Sequence, residues 1–328
     1  MSQTKSTDVT AVVRERYGQI AAHGLRDAAQ GADAVAEAFG YSHEELSSLP
    51  DGANLGLSCG NPTAMASLRG GEVVVDLGCG GGLDVFLAAQ KVGPQGKAIG
   101  IDMTPAMIER AKTNALHGPD GLPYSNVEFF LGQIDQLPLP DATADCVISN
   151  CVVNLAADKP AVFREIYRVL KPGGRIAISD IALRQTLPAE LAASVAAWVG
   201  CIAGAISIKE YQDGLRNAGF QQVKVIDSGA DLNAYKLVTG QSGCCSPVMA
   251  DGHINAAQSG MQGEITSSPR QGFSLKVQTH GCCDGNDDTN AGSGTGVHQD
   301  LAKLAEKYDL NAYAASVKIF ALKGPVRQ

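Results

Sequence analysis

The segment VVVDLGCGGGLD, Val73 to Asp84, is an apolar run that ends in an acid and then breaks into Gly78, Gly80, Gly81 and Gly82, and it constrains the fold of this chain more than any other stretch. A strand that ends this way and passes straight into a helix leaves backbone exposed where side chains would otherwise stand, so a ligand can approach it closely. The residues that follow repeat the alternation. Short β-branched runs at Glu72–Asp76, Lys97–Ile101, Val127–Phe130, Cys146–Ser149, Arg175–Ser179 and Gln222–Ile226 read as strands. Helical runs separate them at Leu83–Val92, Pro105–Leu116, Pro160–Leu170 and Ile208–Ala218. Strand and helix alternating at this spacing predict an α/β fold, a doubly wound, mostly parallel sheet with helices on both faces.

The glycine loop by itself suits any nucleotide-like ligand, and dinucleotide folds use it too. Its surroundings narrow the choice. Asp102 ends the second strand, where a carboxylate can accept hydrogen bonds from both ribose hydroxyls of an adenosine, although it could also cap the helix beginning near Pro105. Met103 supplies an apolar surface for adenine. No lysine follows the loop to hold phosphate, which excludes a P-loop. Asp76, just ahead of the glycines, suits a cationic amino-acid ligand better than a pyrophosphate.

The net charge of −8 over 328 residues, with no basic run, gives a phosphate backbone or an anionic membrane little to hold. No stretch of about 18 apolar residues exists, and the first residues lack the apolar core of a signal peptide, so the expectation is a cytoplasmic monomer without nucleic-acid or membrane partners. Four segments are expected. Residues 1–67 hold helices, at Thr7–Ala21 and around Ser42–Leu46, and the loop carrying Cys59. Residues 68–240 form the ligand-binding domain. Residues 241–299, rich in Ser, Gly, Asn, Asp and Gln, read as a flexible segment. Residues 300–328 recover a helix and a strand that return to the main domain. Nine cysteines in a chain of this kind read as thiols rather than as a disulfide framework.

Taken in order, DLGCGGG, IGIDMTPAM, GQIDQLPLP, Ala144–Cys151 and RVLKPGG resemble the motif series of class I S-adenosylmethionine methyltransferases, with their Rossmann-like sheet, over roughly Leu68 to Gly240. By that resemblance Asp76, Gly78, Cys79 and Gly80 lie at the methionine end of the cofactor, Asp102 and Met103 hold ribose and adenine, Ile134 and Asp135 edge the adenine, and Asn150 closes beneath the sulfonium. The thiol of Cys79, like that of Cys146, is assigned to packing.

The contexts LSCGNP at Cys59, NCVVNL at Cys151 and GCIAGA at Cys201 are similar to the three-cysteine pattern of arsenite methyltransferases. The resemblance implies that these three bind trivalent arsenic and that S-adenosyl-L-methionine methylates it. The chemistry agrees, because arsenic(III) is soft, prefers sulfur, and in a three-thiolate site keeps a lone pair to attack the sulfonium methyl without a general base. This chain has no cysteine before Cys59, so the redox step is expected to depend on an external thiol such as glutathione or thioredoxin. Cys244–Cys245 and Cys282–Cys283 are read as thiol pairs that capture arsenite, with zinc binding or an inert tail as alternatives; His253, His280 and His298 are read as solvated. A methyltransferase for a small carbon or oxygen nucleophile would leave Cys59 and Cys201 unexplained, and a metalloid sensor would leave the intact glycine loop without a role.

Overall fold

The computed structural model of the chain describes residues 11, 14–15, 17–18, 21, 29–119, 121–192, 201–233 and 306–325. The expected flexible segment, with its two cysteine pairs and three histidines, lies outside the described residues, as do most of the expected first helix and the start of the expected last one.

The strands are β1 (Val73–Leu77), β2 (Lys97–Asp102), β3 (Val127–Leu131), β4 (Ala144–Asn150), β5 (Leu170–Leu183), β6 (Ile206–Ser207), β7 (Gln221–Asp227) and β8 (Ala314–Leu322). The described helices are α1 (Ala29–Ala38), α2 (His43–Ser47), α3 (Pro62–Met65), α4 (Leu83–Val92), α5 (Pro105–Asn114), α6 (Lys159–Val169), α7 (Ala189–Ala192), α8 (Ile208–Asn217) and α9 (Leu310–Tyr313), with a 3-10 turn at Val153–Leu155. Strand order is β3-β2-β1-β4-β5-β8-β7, and β6 pairs off the end of β5. β1 to β5 run parallel, whereas β8 lies antiparallel between β5 and β7. The expected doubly wound, mostly parallel, Rossmann-like sheet is the fold observed.

β1 and β4 are neighbours although two strand-helix units separate them in sequence. Chain direction across the sheet reverses at this pair, and the crevice beyond the carboxyl ends of such strands is where open α/β sheets take ligands. The central strands are covered on both faces and read as continuous apolar runs, so β1 and β4 are buried almost throughout. α6 lays Val162, Phe163, Ile166 and Val169 onto one face, and its N-terminus is capped by Asp158, whose side chain accepts from Ala161 N. On the other face α4 packs Val85, Ala88, Ala89 and Val92 against Val74, Cys146 and Ile148.

Two long-range ties set the segment that carries Cys59. The Arg175 guanidinium of β5 pairs with both Glu72 oxygens at 2.8 and 2.7 Å and donates to Ala66 O and Ser67 O, which clamps the end of α3 to the sheet. From β8, Ser316 Oγ donates to Cys59 O at 2.6 Å across 257 positions of sequence. The last strand therefore completes the sheet and also supports the loop at the other end of the chain.

Candidate functional site

The glycine loop turns on Gly78, whose φ of +70° lies in the left-handed region and whose position leaves no room for a Cβ beside Val152. Gly78 N and Cys79 N donate to Ile101 O, and Gly80 N donates to Asp102 Oδ2 at 3.0 Å. The other oxygen of Asp102 accepts from Thr104 N at 2.8 Å. Asp102 therefore binds the loop of β1 to the end of β2, and the Thr104 side chain and the backbone of Met103 add to the donors it receives. Burial pushes its carboxyl up, against the backbone donors that hold it down.

These elements enclose a cleft of about 1120 Å³, its open mouth included. Of the residues expected from the sequence, Gly78, Cys79, Gly80, Asp102, Met103, Ile134, Asp135, Asn150 and Cys151 line it. Asp76 does not. It is buried at the end of β1, and its carboxyl is raised by burial and then by the charges of Asp84 and Asp102. The lining contains Asp84, Asp102 and Asp135 and no lysine, arginine or histidine among the described residues, which suits a cationic ligand.

Asp84 lines the cleft as well, and the sequence reading passed over it although it closes the glycine motif. Both its oxygens accept from the Tyr41 hydroxyl at 2.9 Å, and Asn150 Nδ2 lies 3.3 Å from Oδ2. Burial raises the carboxyl to about 7 against those hydrogen bonds. A carboxylate in the first turn of an amphipathic helix reads as a helix-end charge on the surface. The signal available was only its place two residues after the last glycine.

Three cysteines far apart in sequence meet at one edge of this cleft. Cys59, Cys151 and Cys201 share an apolar cluster with Val35, Phe39, Leu155, Ile181 and Ile202, and none is more than 5% exposed. Cys59 and Cys151 are joined as a disulfide with Cα atoms 5.8 Å apart, a correction to the expectation that all cysteines are thiols. The Cys201 thiol donates to Cys151 O at 2.5 Å, and Cys151 Sγ, Cys201 Sγ and an Asp180 oxygen all lie within 4.8 Å of one another. Cys151 faces the cleft, whereas Cys59 and Cys201 stand behind it.

Two of the five non-glycine residues with positive φ among the described residues lie here. Cys151 and Cys201 have φ of +59° and +62°, conformations that cost a non-glycine residue about 1–3 kcal/mol. The surrounding hydrogen bonds hold them there. Cys151 N donates to Ser179 O, and Asn154 Nδ2 reaches Asp180 Oδ1, Ile181 O and Cys201 O. Tyr211, turned inward by α8 whose N-terminus carries a Ser207–Glu210 capping box, bonds through its hydroxyl to Asn154 and Asp180. Burial raises the Asp180 carboxyl to about 6, and burial also pushes the Cys201 thiol well up, with Asp180 adding to it and Lys159 opposing. Cys79 and Cys146 lie in the cluster under α4, the latter raised to about 12 by burial.

Gly60 gives this arrangement a sharp test. A Cβ at Gly60 would lie 2.6 Å from Ser179 Oγ, so Gly60→Ala must push the adjacent Cys59 away from Cys151. Mass-spectrometric counting of free thiols under mild oxidation should show the Cys59–Cys151 bond forming at least about tenfold more slowly in that variant, because disulfide geometry tolerates little displacement. An unchanged rate would mean that the loop is not held as described.

The raised carboxyls also fix a pH dependence. Asp84 and Asp180 hold a proton more tightly folded than unfolded, where a carboxyl titrates near ~3.9. The stability they contribute is therefore full below that value and is lost as pH rises through about 6 and about 7. The melting temperature of the ligand-free protein should fall from pH 5 to pH 8; a rise across that window would contradict both assignments.

Residues 68–219 match a family described as a methyltransferase domain. An arsenite methyltransferase of Halobacterium salinarum is 48% identical over 189 residues, which cover 58% of this chain and 47% of that protein. The structure of an arsenic (III) S-adenosylmethionine methyltransferase from Chlamydomonas reinhardtii is 34% identical, covers 61% of this chain and 68% of that one, and has a TM-score of 0.46. The geranyl diphosphate C-methyltransferase of Streptomyces coelicolor A3(2), 16% identical with 79% and 75% coverage and a TM-score of 0.51, has the same fold. The chain spans about half the length of the first curated relatives it matches.

Proposed function

Because residues 68–219 match a methyltransferase domain and arsenite methyltransferases are among the chain's relatives, we propose that it transfers the methyl group of S-adenosyl-L-methionine to trivalent arsenic held by Cys59, Cys151 and Cys201. The observation that carries this reading is the convergence of three sequence-distant sulfurs in one apolar cluster that opens on the cofactor cleft through Cys151.

The donor set fits the cofactor. Asp102 offers a carboxylate for the ribose, Met103 and Ile134 offer apolar faces for adenine, and Asp84 with the buried Asp76 supplies negative potential for the ammonium and sulfonium. The thiols bind arsenic only in their reduced state, so the Cys59–Cys151 bond must first open to an external thiol, with glutathione or thioredoxin as the proposed source. Three thiols and one As(OH)3 then condense to a trithiolate and three waters. Each thiol proton leaves on an arsenic hydroxyl, so the high pKa of the buried Cys201 thiol is no obstacle. The apolar cluster keeps bulk water from hydrolysing the complex.

The arsenic lone pair attacks the sulfonium methyl, the carbon–sulfur bond breaks with its electrons passing to sulfur, and the neutral thioether leaves. No proton is removed from the nucleophile, and accordingly no general base is needed at the mouth of the site. Arsenic rises from the trivalent to the pentavalent state, and two electrons from a dithiol return it to trivalency for release or for a second methylation of methylarsenite. The role is proposed to be arsenic detoxification, in the cytoplasm and as a monomer; among the described residues no helix is long and apolar enough to cross a membrane. Capture of arsenite by Cys244, Cys245, Cys282 and Cys283 is proposed alongside it.

The test is to incubate reduced protein with arsenite, S-adenosylmethionine and glutathione and to separate arsenic species by chromatography with elemental mass detection. Methylated arsenic is expected. Its absence from protein that still binds S-adenosylmethionine would overturn the substrate and leave the cofactor.

A further inference from the structure

Asn150 is the residue through which the cofactor cleft and the cysteine loop touch. Its side chain lines the cleft, yet its hydrogen bonds run to the Cys59 segment: Oδ1 accepts from Cys59 N at 3.0 Å, and Nδ2 lies 2.8 Å from Gly60 O, 2.8 Å from the Tyr41 hydroxyl and 3.3 Å from Asp84 Oδ2. Tyr41 provides a second path, since its hydroxyl donates to Asp84 and is also hydrogen-bonded by the side chain of Ser58, the neighbour of Cys59. Asp84 is thus joined to the Cys59 segment twice, through Asn150 and through Tyr41 and Ser58. Nothing in the methyl-transfer chemistry described above requires this.

We propose that Asp84 and Asn150 are positioning residues that tie the placement of Cys59 to occupation of the cleft by a cationic cofactor. The inference rests on the reading of the cleft as an S-adenosylmethionine site. Asp84 shares the buried wall with Asp76, while Glu45 adds to and Lys91 offsets the negative potential around it. In the empty cleft burial, with a smaller contribution from Glu45, favours the protonated carboxyl, which accepts hydrogen bonds weakly. A ligand carrying an ammonium and a sulfonium favours the carboxylate, and a charged acceptor roughly doubles the strength of each bond it receives. Tyr41 and Asn150 are then gripped harder, and Cys59 N and Gly60 O with them. The thiol is set for arsenic when the methyl donor is present. Because coupling between two sites is reciprocal, a ligand on Cys59 strengthens cofactor binding by the same factor.

The experiment uses the full chain, reduced and freed of reductant, and measures the rate of iodoacetamide labelling of each cysteine by mass spectrometry with and without sinefungin, an unreactive analogue whose amine stands in for the sulfonium. In the wild type, saturating sinefungin should slow labelling of Cys59 by at least about fivefold, the lower end of ordinary allosteric coupling. In Asp84→Asn and Asn150→Ala the slowing should fall below about twofold while sinefungin still saturates both. Tyr41→Phe removes one path and should give an intermediate value.

Cys151 lines the cleft and is covered by the ligand directly, so its protection should persist in all three variants and separates coupling from mere blockage. Equal protection of Cys59 in wild type and variants, or none in wild type with sinefungin bound, would overturn the proposal. Failure of sinefungin to bind the wild type would overturn it together with the cofactor reading. A protein that methylates no arsenic yet shows the full pattern at Cys59 would refute the substrate alone.

Discussion

Replacing Cys151 with serine should reduce arsenite methylation by more than about 100-fold while S-adenosylmethionine binds within about twofold of wild type; a loss of 100-fold corresponds to about 2.7 kcal/mol of transition-state stabilisation. The expectation rests on three features of that residue. Of the three cysteines it alone lines the cleft, so it would hold the arsenic on the side nearest the methyl donor, with the lone pair free to reach the methyl. Its left-handed backbone is held by Cys151 N to Ser179 O, a bond that serine retains, and Ser is close to it in volume, so the fold has little reason to change. Its replacement by oxygen removes the soft ligand that makes arsenic(III) choose this site over water. Isothermal titration with S-adenosylmethionine and arsenic speciation after turnover measure the two halves separately. Cys146→Ala is the matched control, because that thiol is buried under α4 away from the cluster, and it should keep methylation. If the Cys151 variant retained a tenth of wild-type turnover the three-cysteine site would be wrong. Loss of cofactor binding along with turnover would point to misfolding.

Which parts of this site could be read from the chain follows from how local they are. The glycine loop and Asp102 were legible because the constraint on each is carried by a few adjacent residues: a strand end, an acid, a turn that only glycine allows. The same is true of α4, expected at Leu83–Val92 and found there, and of the central strands, which shifted by a residue or two at their ends. β5 is a different case. Only Arg175–Ser179 was expected, but the strand runs Leu170–Leu183: β4 pairs Leu170, and β8 with β6 pairs Arg175–Leu183, partners of the extended end that come from far down the chain.

The cysteines were found from their local contexts, whereas the supports that aim them were not. Ser316, Asp180, Asn154 and Tyr211 carry no pattern in sequence that connects them with Cys59 or Cys201, and their roles exist only after the sheet has closed. Asn150 was expected beneath the sulfonium; it lines the cleft, and its amide is hydrogen-bonded to the Cys59 loop, a contact that no sequence pattern announces. Asp76 and Asp84 are acids of the same motif and both are buried; the fold puts Asp84 in the cleft wall and Asp76 outside it, a difference that the sequence does not carry.

Asp102→Ala should weaken S-adenosylmethionine binding by about 100- to 1000-fold, that is by about 3–4 kcal/mol. Two losses add. The first is inside the protein, where Gly80 N and Thr104 N each lose their carboxylate acceptor, and an unsatisfied buried donor costs about 1–3 kcal/mol. Gly80 sits in the left-handed region at φ +51°, and with its anchor gone the loop can relax out of the shape that lets the cofactor touch backbone. The second is the loss of the ribose hydrogen bonds, charge-assisted and worth about 1.5–3 kcal/mol each. The sum exceeds the predicted effect because water enters the vacated corner and satisfies part of it. Asp102→Asn separates the two contributions: it keeps one acceptor for a backbone donor but presents an amide N–H donor where the second acceptor was, and should cost about tenfold. Asp135→Ala, on the same cleft but half-exposed and without a backbone anchor in the loop, should cost less than either. Equilibrium dialysis with labelled S-adenosylmethionine gives all three constants. An Asp102→Ala protein that bound as tightly as wild type would mean that the loop of β1 stands without β2 and that the ribose lies elsewhere, and the cofactor assignment would have to be abandoned along with the residue.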